Sequence, residues 1–112
     1  MDTAPYRARL ARELESLAEE STAAKDARAP VALDPQSVGR LSRMDALQSQ
    51  AMAVETDRRR KVELQQIEAA LGRIEDGDYG TCAGCGEAIA RKRLALNPTT
   101  PVCIDCAQSA SR

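Results

Sequence analysis

At 112 residues, with no Trp, no Phe and only two Tyr, this chain has room for one small domain, or one small domain plus an extension. Its 16 basic and 17 acidic residues leave a net charge of −1, which argues against a bulk nucleic-acid binder, and no apolar run is long enough to span a membrane. Much of the 43% hydrophobic content is Ala, which favours helix but buries little area, so the fold needs a helix pair, a metal or both.

The first residues, Met1-Asp2-Thr3-Ala4-Pro5, lack the basic start and apolar stretch of a signal peptide. A cytoplasmic protein is expected. Residues 6–27 predict one helix. Leu10, Leu14, Leu17, Ser21 and Ala24 step by four, three, four and three, a narrow seam that faces a single partner. Helical character fades at Ala29-Pro30, because the residue before a proline avoids the helical region.

Asp34-Pro35 then predicts a helix start, with Asp as N-cap and Pro at the first helical position. The second helix is expected over 35–76 and is stopped by Gly77. Its apolar residues fall into two sets. Val38, Leu41, Met44, Leu47, Ala51, Met52 and Val54 serve the first half; Val62, Leu64, Ile67, Leu71 and Ile74 serve the second. Between them, Glu55 to Lys61 carries no large apolar side chain. A fold-back at about residue 31 sets Leu10 opposite Met52 and Ala24 opposite Val38, which uses up the first helix near residue 56. The second set is then expected to pack on the C-terminal module, through Ile89, Leu94, Leu96, Val102 and Ile104. The expected architecture is mainly α: an antiparallel coiled-coil hairpin (1–76, tip about 28–39) about 30 Å long, on a small four-cysteine module (77–112).

That module carries the most specific signal. Cys82 and Cys85 form one Cys-x-x-Cys pair, and Cys103 and Cys106 form another, with seventeen residues between the inner two. Thiolates are soft ligands, and four in tetrahedral array suit zinc. The chain has no histidine, so an all-cysteine set is the only plausible closed zinc site. A closed site is structural rather than catalytic: one zinc per chain. In a reducing compartment, paired Cys-x-x-Cys units read as metal ligands rather than disulfides. Such a site contributes roughly 10–16 kcal/mol of apparent binding energy, without which a module of this size would not fold.

Two basic runs are candidate anion or partner contacts: Arg58, Arg59, Arg60 and Lys61 on the second helix, and Arg91, Lys92 and Arg93 in the module. The blander reading of the first run is a solvated helix face, since Glu55 and Asp57 adjoin it. Asp34 and Asp45 are the acidic residues at or near the tip. There is no histidine base, no phosphate-cradling glycine loop and no paired-carboxylate cleft, so an enzyme is not expected.

Asp76-Gly77-Asp78-Tyr79-Gly80-Thr81-Cys82-Ala83-Gly84-Cys85-Gly86, then Ile89, Arg91-Lys92-Arg93-Leu94, Asn97-Pro98-Thr99 and Cys103-Ile104-Asp105-Cys106, resemble the zinc finger of the DksA/TraR family. The resemblance implies a regulator that binds RNA polymerase directly and inserts a coiled-coil hairpin into its secondary channel. It implies that tip residues alter open-complex lifetime and so initiation, in the best-known members together with the alarmone ppGpp. A monomer without sequence-specific DNA binding is expected. The chain departs from the family at the tip. The family's Asp-x-x-Asp-x-Ala pattern is only echoed, in Asp45-Ala46, with Ser at position 42. Two other classes stand beside this reading: a zinc-stabilised protein-interaction adaptor without transcriptional activity, and a direct nucleic-acid binder acting through the two basic runs.

Overall fold

The computed structural model describes residues 1–30 and 40–110. Helix α1 spans Ala4–Ala23. It starts two residues before the leucine seam requires, because the Asp2 carboxylate accepts from the Ala4 N–H at 3.0 Å. Pro5 sits in the first turn, where its missing N–H would have no helical partner anyway. The single helix expected over 6–27 is broken once. Ala24 is non-helical, and the short α2 runs Lys25–Arg28.

Helix α3 spans Arg40–Asp76, about 55 Å of helix. Residues 35–39, where an earlier start was expected, lie outside the described residues, as does the Asp34 cap. Gly77 ends α3 with φ +80°. Its N–H donates to Ile74, and the Asp78 N–H donates back to Arg73 at 2.9 Å. That pair of bonds closes the helix and turns the chain into the C-terminal module.

The hairpin forms in a different register from the one expected. Ser21 bonds Asp57, and Gln50 bonds the Arg28 carbonyl, so partners sum to 78 rather than to about 62. Leu10 therefore lies with Ile67, Ala70 and Ile74, not with Met52. The physical reason is burial. The second apolar set on α3 is richer in branched aliphatics, and α1 pairs with it rather than with the Met-rich first set. Met44, Leu47, Met52 and Val54 are consequently exposed.

One core unites the hairpin and the C-terminal module. Leu10 from α1, Ile67 and Ile74 from α3, and Tyr79, Cys82, Ile89 and Leu94 from the module form a single buried cluster. Ile67, Leu71 and Ile74 of the second apolar set thus pack on α1 and the module at once, while Val62 is exposed. Leu96 and Ile104, expected in that core, are 85% and 51% exposed. They fall on the outer sides of α4 (Arg91–Leu96) and α5 (Ile104–Ala110). The molecule is long, 63 × 34 × 20 Å, with a radius of gyration of 19.6 Å against about 13 Å for a compact chain of this length.

Candidate metal centre and the basic runs

The first cysteine pair lies on a tight turn. The Cys82 N–H donates to Glu87, the Gly86 N–H donates back to Cys82, and Thr81 bridges to Ala88. Gly86 takes φ +78°, which lets the chain reverse after Cys85. The second pair is set by α5: Cys103 immediately precedes it and Cys106 is in its first turn. The Ala83 N–H donates to the Pro101 carbonyl at 2.8 Å and ties the two loops together.

These turns bring the four sulfurs within 4.8 Å of one another. The Cys85 and Cys103 sulfurs are 3.7 Å apart. That separation is too long for a disulfide and close to the edge of a zinc–thiolate tetrahedron, about 3.8 Å for Zn–S bonds near 2.3 Å. The Cys82 sulfur accepts N–H bonds from Cys103 at 3.2 Å and Gly84 at 3.3 Å. The Cys103 N–H is the main reason that the Cys82 thiol is pulled down to about 6. Cys106 moves the other way, pushed up to about 12 by the sulfurs of Cys82, Cys103 and Cys85. Four sulfurs this close do not all ionise unless a cation sits among them, and the donor set selects a soft divalent one. Cys82, Cys85, Cys103 and Cys106 thus fit one structural zinc. When bound, zinc supplies a closed crosslink between the two loops and leaves no position for a substrate.

The loop between α4 and α5 is fastened from three sides. Tyr79 donates its phenol to the Pro98 carbonyl at 2.7 Å, and Arg73 of α3 donates to the Thr99 carbonyl. Arg93 donates to the Val102 carbonyl and to the Thr100 hydroxyl. Arg9 of α1 reaches Ala95 at 2.7 Å. The second basic run is therefore divided. Arg91 and Lys92 are exposed, whereas Arg93 is half-buried and committed to the loop. Its inward turn has a plain cause: the loop carbonyl groups need donors once they leave water.

The first run is divided as well. Arg58 and Arg59 both pair with Glu55 on the solvent side. Their guanidinium groups, Arg58 first, hold the Glu55 carboxyl down at about 2. Arg60 pairs with Glu20 and Asp57, and Lys61 pairs with Asp57. Among the described residues, no hydrogen bond or ion pair links one run to the other. Of the acidic tip candidates, only Asp45 is among the described residues. Asp34 lies outside the described residues; Asp45 is exposed on α3, with Ala46 half-buried beside it.

Asp57 and Arg73 are residues that sequence reasoning did not single out, and Arg93, expected as an anion or partner contact, instead fastens the loop. The signal for Asp57 was present: it is a carboxylate in the one stretch of α3 without large apolar residues, at a position facing the other arm. Nothing in the sequence distinguished Arg93 from its two exposed neighbours.

Comparison with known proteins agrees with this geometry. Residues 77–112 match the family model described as the prokaryotic dksA/traR C4-type zinc finger. Over 50 residues the chain is 46% identical to proteins named RNA polymerase-binding transcription factor DksA from Escherichia coli and Haemophilus influenzae. That stretch is 45% of this chain and only about a third of those relatives (32% and 34%). The fold likeness is wider. Transcription factor DksA2 from Pseudomonas aeruginosa superposes with a TM-score of 0.77 at 25% identity, covering 95% of this chain and 80% of that one. The DnaK suppressor protein from Agrobacterium tumefaciens superposes at 0.63 with 29% identity, covering 97% of this chain and 94% of that one. With the four-sulfur cluster and the matched finger in place, residues 77–112 carry a zinc finger of the dksA/traR C4 type, and the chain as a whole resembles DksA2 in fold.

Proposed function

We propose that this protein binds RNA polymerase directly and carries its hairpin tip into the secondary channel, where it modulates initiation. The observation that carries the reading is the likeness to DksA2 over nearly the whole chain, hairpin included. The name of the curated relatives, RNA polymerase-binding transcription factor, supplies the partner. The shape supports it: a two-helix rod about 20 Å across enters an opening that a globule of the same mass does not. The role is regulatory rather than enzymatic, and its place is the bacterial cytoplasm, where polymerase acts.

In this reading the zinc-held end docks outside the channel and the arm beyond Asp57 extends inward. Arg91 and Lys92 at the docking end are the exposed cations free to meet an acidic surface or a phosphate, and the alarmone ppGpp is the proposed co-effector. Arg58 and Arg59 meet the polymerase in company with Glu55, as a mixed rather than a purely basic face.

The test is reconstituted transcription on several promoters, with and without ppGpp, beside a binding assay with core polymerase. Promoter-dependent change in open-complex lifetime and saturable binding are the expected results. Binding to duplex DNA alone, falling steeply with salt, would instead favour the nucleic-acid reading. No binding to polymerase, with another protein retained in its place, would favour the adaptor.

A further inference from the structure

Among the described residues, Asp57 is the charged side chain that is buried, with its side chain only 3% exposed in the middle of a surface helix. An isolated carboxylate there would be strongly unfavourable. It is instead the point where all three hairpin helices meet. Ser21 of α1 donates its hydroxyl to Oδ1 at 2.6 Å. Arg28, the last residue of α2, places its guanidinium 3.3 Å from the same oxygen. Arg60 and Lys61 of α3 close the cluster at 3.7 and 3.4 Å.

Arg28 does two further things. Its guanidinium donates to the Ser21 carbonyl at 2.7 Å, back across the break at Ala24. That carbonyl lies in the last turn of α1, where helical partners run out. Its own carbonyl accepts from Gln50 at 3.2 Å, two turns before Asp57 on α3. The broken end of the first arm is thus held to α3 at Asp57 and again at Gln50. Both points lie just before the chain leaves for the tip at Ala29-Pro30.

We propose that Asp57, Ser21, Arg28 and Gln50 form a polar latch that fixes the direction in which the hairpin tip is presented, with Asp57 as the positioning residue. The geometry favours a polar device here for a physical reason. An apolar seam tolerates sliding by a turn, because leucines are interchangeable partners. A buried carboxylate with a hydroxyl and a guanidinium opposite it is satisfied in one register alone. The core around Leu10 secures the base of the hairpin, and the latch secures the distal arm, where Met44, Leu47, Met52 and Val54 are exposed and supply little packing. The inference rests on the polymerase reading for its consequence but not for its existence.

The experiment uses the full-length zinc-loaded protein and the variants Asp57→Asn, Arg28→Gln and the double variant. Amide hydrogen exchange is expected to quicken about tenfold in residues 24–29 and 47–57, and to stay unchanged in 67–74 and in the finger. The double variant is expected to be no faster than the faster single one, since one latch is opened in each case. In transcription, polymerase affinity is expected to hold while the effect on open-complex lifetime is lost. Unchanged exchange at 24–29, uniform loosening of the whole chain, or additive effects in the double variant would each overturn the latch. If the wild-type protein leaves polymerase untouched, the functional reading fails while the exchange pattern still decides the latch.

Discussion

At Gly84 a β-carbon would stand 3.1 Å from the Cys106 sulfur and 3.5 Å from its Cβ. The neighbour there is a metal ligand and cannot give way freely, so Gly84→Ala is expected to weaken zinc binding. Competition with a chromophoric chelator measures the loss, expected at about tenfold or more. Gly86→Ala makes a useful contrast, since nothing lies within 4 Å and only the positive φ resists it. Asp57 carries a pH signature. Its carboxyl is held below the ordinary 3.8, first by the Ser21 hydroxyl and then by Arg28 and Lys61. A depressed carboxylate stabilises the fold above its unfolded pKa, and that contribution is lost as pH falls through the folded value. The wild type is therefore expected to lose more thermal stability than Asp57→Asn between neutral pH and pH about 3. Acid also protonates the thiolates, but it does so in both proteins, so the difference between them isolates Asp57.

Two glycines of α3 and its boundary illustrate the same residue in opposite roles at the element scale. Gly77 ends the helix at φ +80°, where a side chain is strained whatever the space around it. Gly77→Ala is expected to destabilise by about 1 kcal/mol. Gly72 lies inside the helix with nothing within 4 Å of a β-carbon, and Gly72→Ala is expected to stabilise by about 0.5–1 kcal/mol. Urea unfolding of the two variants reads both signs. The leucine seam of α1 was legible from spacing alone, and Leu10 is fully buried as that spacing implies. The partner of the seam was not legible. Both apolar sets on α3 satisfy helical periodicity, and periodicity says which face is buried but not against what. The break at Ala24 was equally silent, since Ala is as good a helix former as its neighbours.

On the scale of the whole molecule, a single buried cluster joins both arms of the hairpin to the finger. That predicts shared fate. Chelation of zinc, or Cys82→Ser, is expected to lower helical circular dichroism and the tyrosine signal of Tyr6 and Tyr79 in one transition. The two rings lie 5.4 Å apart across the junction of hairpin and finger, so they report on it directly. Separate transitions for helix and tyrosine would mean that the finger and hairpin fold independently. Polar fastenings add to the apolar ones: Arg73 and Tyr79 reach carbonyl groups of the loop at Thr99 and Pro98, and Arg9 reaches the Ala95 carbonyl at the end of α4.

The cysteine spacing and the absence of histidine by themselves determine that sulfur alone would hold a metal here, because ligand chemistry depends on residue type and on turns a few residues long. The helical character of the long arm, its stop at Gly77 and the finger motif belong to the same local class. What tertiary structure decided was long-range choice: which apolar set α1 takes, which arginine turns inward, and where a lone carboxylate finds its partners. Those outcomes depend on competition for burial and for hydrogen-bond partners between segments tens of residues apart, and no local pattern encodes the winner.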